Sequence, residues 1–195
     1  MSKKIPGLKF SGETTWPEIF QTWKNEEGVM PEWQQVARDK GWDSWEEWRG
    51  AGFKKVGATK RRWFVYTIPD PLKTVPLWRI GPYKSWQKHF PEAEQNQHTF
   101  ADLGEEFSPE NNSKIKGLID NFPAATQFVG FVIDDRTIVI IEGHHRATAL
   151  AMAAKRRIDI KFQKLPTIAL TFLEPGEVKF FYDMLLGRST KKSPK

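Results

Sequence analysis

The stretch Ile140-Ile141-Glu142-Gly143-His144-His145-Arg146-Ala147-Thr148-Ala149-Leu150 joins a β-branched strand to an alanine-rich helix. Gly143 stands at the junction, where a residue without a Cβ lets the backbone turn tightly and lets a ligand approach it closely. The helix start presents unpaired N–H groups and the positive end of the helix dipole. Arg146 adds a guanidinium that can grip phosphate, and His144 and His145 add donors that titrate near neutral pH. These residues predict a phosphate site.

Two other interpretations of the same junction are open. The first is a polar helix start whose side chains cap the backbone or face water. The second is a metal site, but adjacent helical residues point about 100° apart, which disfavours both histidines on one ion. A magnesium ion held by Glu142 and shared with phosphates is more natural.

The rest of the C-terminal half alternates helices and strands. Ser108-Pro109-Glu110 has the cap, proline and acidic residue of a helix start, and an apolar stripe at helical spacing follows as far as Phe122. Residues 127–133 and 138–141 predict a hairpin around a turn at residues 134–137. Further strands are predicted at residues 158–162 and 167–173, and a last helix from Pro175. The pattern therefore predicts a mixed α+β fold.

All nine tryptophans lie between Trp16 and Trp86. After a lead-in over residues 1–12, apolar stripes predict helices starting at Thr15, at Pro31 and at Asp43 or Ser44. A helix-turn-helix interpretation is disfavoured because carboxylates in the third helix would repel DNA phosphates. We expect the stripes to form a small helical core, a homo-oligomer contact or another protein interface. Strands are expected at residues 63–68 and 75–80, and a helix at 82–90.

The order helix, hairpin, Glu-Gly-His-His-Arg and helix resembles the ParB/sulfiredoxin superfamily, whose members carry a Gly-centred, Arg-containing motif at this junction. The version closest to residues 142–146 is the Asp-Gly-His-His-Arg of the superfamily's free serine kinases. The resemblance covers roughly residues 108–155. It implies an α+β, ParB/sulfiredoxin-like domain with a mixed sheet at residues 60–187. A Trp-rich helical subdomain at 1–59 would precede it, and a basic tail at 188–195 would follow.

This resemblance also implies a function. Gly143, His144, His145 and Arg146 would match a clamp for the phosphates of ATP, ADP or CTP. Glu142, His144 and His145 would take catalytic roles, with Glu142 a ligand of Mg²⁺. We therefore expect nucleotide-dependent phosphoryl transfer to a small-molecule or protein acceptor, or nucleotide hydrolysis. The kinases imply a further carboxylate nearer the N-terminus, for which the candidates are Glu92, Glu94, Asp102, Glu105 and Glu106.

The composition supports a second function class. The net charge is +6, and the positive residues cluster at 54–62, at 155–157 and in the tail. A DNA-binding or ParB-like nuclease protein could use the tail together with Lys54, Lys55, Lys60, Arg61 and Arg62. The chain has no cysteine, which excludes disulfides and the thiol chemistry of sulfiredoxins. No apolar run approaches the roughly 20 residues of a membrane span, and we expect a cytoplasmic protein.

Overall fold

The computed structural model describes residues 4–134 and 136–186, and it is a mixed α+β structure built on a five-stranded sheet. The spatial order of the strands is β1-β2-β5-β3-β4. Strands β3 and β5 are parallel, and every other neighbouring pair is antiparallel. The strands are β1 (Lys9–Thr14), β2 (Trp63–Thr67), β3 (Gln127–Val132), β4 (Ile138–Glu142) and β5 (Thr167–Phe172).

Eight helices accompany the sheet in the described ranges. They are α1 (Trp16–Trp23), α2 (Pro31–Asp39), α3 (Trp45–Lys55), α4 (Pro71–Thr74), α5 (Lys84–Gln87), α6 (Ser113–Asp120), α7 (His144–Arg156) and α8 (Val178–Leu186). A π-helical segment, Lys24–Gly28, extends α1. None of these helices is long and apolar enough to cross a membrane.

Both faces of the sheet are covered, and the two hydrophobic clusters divide at the strands. On β4, Ile138 and Ile140 join the cluster around α6 and α7, whereas Val139 and Ile141 join the cluster that contains the tryptophans of α1 and α3. This alternation follows from the two-residue period of a strand. Because both faces are buried, β3 and β4 read as continuous apolar runs rather than alternating ones.

The Trp-rich segment is part of this core. Trp16, Trp23, Trp45 and Trp48 are buried, and they belong to the cluster that includes Phe131 of β3. The sheet also crosses the predicted division at residue 59/60, because β1 precedes it and pairs with β2. The tryptophan stripes therefore pack into a core within this chain, and residues of the sheet form the rest of that core.

Several predicted elements differ from those observed. The lead-in prediction is wrong for residues 9–12, which belong to the edge strand β1, because a polar edge strand lacks an apolar pattern. Residues 75–80 contain a 3₁₀ turn and isolated bridges through Arg79 instead of a strand. Residues 158–162 form no strand, and the helix expected at residue 109 begins at Ser113, capped by Asn112.

Other local predictions are confirmed. Thr15 caps α1 in a capping box with Glu18, and Ser44 caps α3. The hairpin β3–β4 turns at Asp134, whose Oδ1 accepts from the amides of Arg136 and Thr137 at 2.8 and 2.6 Å. These features depend on neighbouring residues, which is why a sequence pattern can specify them.

Candidate functional site

The strand-to-helix junction is built as the sequence predicts. Strand β4 ends at Glu142, α7 begins at His144, and Gly143 between them has φ +97°. A Cβ on Gly143 would lie 2.5 Å from Cδ1 of Phe128 on the neighbouring strand. Both the left-handed backbone and this close approach therefore require glycine. No side chain of the described residues caps the start of α7.

His144 is buried and serves as a hydrogen-bond acceptor. Its Nε2 accepts from the amide of Gly81 at 3.0 Å, and its ring lies against those of Tyr83 and Trp86. Burial lowers the pKa of His144 to about 3, and burial is also the main cause that lowers the pKa of His145 to about 4. The expectation that these histidines titrate near neutral pH is therefore wrong.

Arg146 is held by two carboxylates. Its Nη1 donates to Oε2 of Glu26 and its Nη2 to Oε2 of Glu142, both at 2.7 Å. The Arg146 side chain is only 12% exposed. The terminal nitrogens of the guanidinium therefore bind carboxylates of the protein. Arg146 does not present the unoccupied phosphate-binding group that the sequence predicted. The sequence carried no signal for Glu26, which is 120 residues away.

Glu142 is the group at the junction that titrates near neutral pH. Burial raises its pKa to about 7, and the positive charges of Arg146 and Arg49 oppose the rise. A buried carboxyl with such a pKa is suited to accept or release a proton at physiological pH. The described residues contain no group of three or more His, Asp or Glu side chains arranged for a metal ion. A magnesium ion here would therefore depend on Glu142 together with oxygens of a ligand and water.

A cavity of about 540 Å³ opens beside this junction, between α7 and the Trp-rich segment. Its aromatic walls are Trp23, Trp33, Trp48, Tyr83 and Trp86. Glu27, Glu142 and His145 supply polar groups, and the cations Lys40, Arg49 and Lys84 complete the lining together with Val36, Ser85, Ile141, Gly143 and His144. Arg146 is not among the lining residues. Sequence reasoning missed the wall from α2 and α3, because stripes of tryptophan indicate burial without indicating what they enclose.

The remaining predicted residues lie away from the cavity. Among the carboxylate candidates, Glu94 contacts His98, Asp102 caps the turn at Thr99, and Glu92 is exposed. Glu105 and Glu106 contact Arg156 and His89. None of the five lines the cavity of the described chain.

The basic segment is partly neutralised. Arg61 forms an ion pair with Glu177 at 2.7 Å and also donates to the carbonyl of Phe172, while Arg62 pairs with Glu13. Lys54, Lys55 and Lys60 are exposed. The tail at 188–195 lies outside the described residues, so only three of the five named cations face solvent without an ion pair in the described chain.

Comparison of the chain with protein-family models, with curated proteins and with solved structures finds no match.

Proposed function

We propose that this protein binds a nucleotide in the cavity, with the phosphates at the start of α7. The main support for this proposal is that a 13-residue helix begins at the cavity with no side-chain cap from the described residues. The first amide after the junction that bonds back along α7 is that of Ala147, to the carbonyl of Gly143 at 2.8 Å. The amides of His144, His145 and Arg146 precede it, and such amides favour an anion.

The walls of the cavity suit the rest of a nucleotide. Trp33, Trp48 and Trp86 are among the aromatic residues that line the cavity, and contact of a base with aromatic side chains contributes about 1–3 kcal/mol per base. The volume of about 540 Å³ lies within the range of small-molecule sites. Lys84 and Lys40 add positive charge to the cavity lining, which favours an anionic ligand. The ParB/sulfiredoxin resemblance of the helix, hairpin and junction supports the same ligand class.

The reaction we propose is phosphoryl transfer or nucleotide hydrolysis, with Glu142 as the proton acceptor. Its pKa of about 7 leaves the carboxyl partly ionised at neutral pH, so it can take a proton from an attacking hydroxyl or water. Magnesium, held by Glu142 and the phosphates, would neutralise charge that develops during transfer. His145, kept neutral by its low pKa, can donate a hydrogen bond to a phosphate oxygen.

Binding is tested by a thermal-shift and calorimetric panel of ADP, ATP, CTP and GTP with Mg²⁺. A ligand present at 100 times its Kd should stabilise the fold by about 2.7 kcal/mol. His145→Ala should weaken binding several-fold, whereas His89→Ala, whose ring contacts Glu106 outside the cavity, should leave it unchanged. Absence of a shift with all four nucleotides, or equal effects of the two histidine variants, contradicts the proposal.

Catalysis is tested separately by phosphate release. Glu142→Gln should abolish turnover while nucleotide binding persists, because the amide cannot accept the proton. Full turnover in this variant would remove Glu142 from the mechanism and leave the binding proposal in place.

A further inference from the structure

Arg49 of α3 is held in a box of aromatic rings that forms one wall of the cavity. Its Cζ lies 4.1 Å from the ring centroid of Trp48, and 5.1 and 5.3 Å from those of Trp23 and Trp33. The cation lies over the electron-rich face of each of these rings at short range. The guanidinium therefore has few orientations open to it, although it lines the cavity.

Glu27 locks the same guanidinium along one edge. Its Oε1 accepts from Nε of Arg49 at 3.0 Å and also from Nη2 of that residue. The carboxylate is otherwise occupied, because Trp45 Nε1 donates to it at 3.0 Å and Trp23 Nε1 at 2.8 Å. Nη1 of Arg49 has no acceptor among the described residues, so its two N–H groups remain available to another group.

The two arginines near α7 differ in what they can offer a ligand. Arg146 uses both terminal nitrogens on Glu26 and Glu142 and does not line the cavity. Arg49 lines the same cavity as Gly143 and His144 at the start of α7. A guanidinium fixed in advance loses little conformational freedom when it binds an oxyanion.

We infer that Arg49 is the cation that binds the anionic group of the ligand, and that the Trp-rich segment is thereby half of the binding site. The inference rests on the proposed function for the identity of the ligand as a nucleotide. Arg49 then contacts phosphate oxygens from α3, opposite the amides of α7. The role that the sequence predicted for Arg146 belongs to a residue about one hundred positions earlier.

The test uses calorimetric titration of the full chain with Mg²⁺–ATP and with inorganic pyrophosphate. Arg49→Gln should weaken the binding of either probe about 10- to 100-fold, as expected for the loss of a hydrogen bond to a charged group. Arg49→Lys keeps the charge without the planar fork, so its affinity should lie between those of wild type and Arg49→Gln. Arg38→Gln is the matched control, because Arg38 is exposed on α2, donates to Gln35 and does not line the cavity of the described chain.

Glu27→Gln separates ligand contact from a merely structural effect. This variant removes the carboxylate that fixes Arg49 but keeps the cation, so binding should weaken clearly less than in Arg49→Gln. Equal weakening by Glu27→Gln and Arg49→Gln would mean that the pair acts only by holding the wall together, and would overturn the inference. Circular dichroism of each variant establishes that it is folded.

The outcomes also separate this inference from the proposed function. If wild type binds ATP and Arg49→Gln binds it equally well, the inference fails and the nucleotide proposal stands. If pyrophosphate binds in an Arg49-dependent manner and no nucleotide does, the nucleotide proposal fails and the anion site stands. If wild type binds neither pyrophosphate nor any of the four nucleotides, both are overturned.

Discussion

The substitution Glu142→Gln is expected to make the protein lose stability more steeply as the pH falls. Burial raises the pKa of Glu142 to about 7 from the ordinary value of 4.5. Between these pH values the folded state holds a proton on this carboxyl that the unfolded state has released. This group therefore stabilises the fold most at low pH, and its contribution is lost as the pH rises through 4.5 towards 7.

The two histidines of the junction act in the opposite direction. Burial depresses the pKa of His144 to about 3 and that of His145 to about 4, so the unfolded state binds protons first as the pH falls below 6.5. Each histidine then destabilises the fold by up to about 1.4 kcal/mol per pH unit. In the wild type, the proton held by folded Glu142 offsets the destabilisation caused by one of the two histidines between pH 6.5 and 4.5.

Glutamine at position 142 removes this offset. With a folded pKa of about 7, the carboxyl contributes about 2 kcal/mol more to folding at pH 5 than at pH 7. The free energy of unfolding should therefore fall about 2 kcal/mol further between pH 7 and pH 5 in Glu142→Gln than in wild type. This difference in slope does not depend on any constant loss caused by breaking the pair with Arg146.

Urea unfolding at pH 7, 6 and 5, followed by tryptophan fluorescence and by circular dichroism, measures the slope. Glu92→Gln, at an exposed position on a 3₁₀ turn, is the control and should run parallel to wild type. Parallel curves for Glu142→Gln and wild type would refute the raised pKa and, with it, the reason for choosing Glu142 as the proton acceptor.

Three substitutions test how the backbone of the fold is held, each by urea unfolding against wild type. Gly143→Ala should cost about 2–4 kcal/mol, because a left-handed residue with a Cβ is strained and that Cβ meets Phe128; a change below 1 kcal/mol would contradict the geometry. Gly117→Ala, in the exposed middle of α6 with nothing within 4 Å of the new methyl group, should instead stabilise by about 0.5–1 kcal/mol. Ser44→Ala should cost about 1 kcal/mol through loss of the cap on the amide of Glu47 at 3.1 Å, and an unchanged midpoint would show that α3 needs no cap.

The features that sequence reasoning predicted well are local ones. The caps at Thr15 and Ser44 and the turn at Asp134 each depend on residues within four positions. The strand, glycine and helix at the junction are equally local, because backbone preference and periodicity set them. Edge strand β1 was not predicted because it forms through pairing with β2, about 50 residues away, rather than through its own polar sequence.

The same distinction between local and long-range features applies to the candidate site. The sequence alone determined that a glycine-linked strand and helix would present backbone amides, and that most of the tryptophans would be buried. Only the tertiary structure decided that Glu26 reaches Arg146 and that Arg49, among three tryptophans, faces the cavity instead. The physical reason is that the residue type alone sets a side chain's charge and its hydrogen-bond donors. Its partners and its burial arise only when distant segments pack together, and these set its pKa and whether it can bind a ligand.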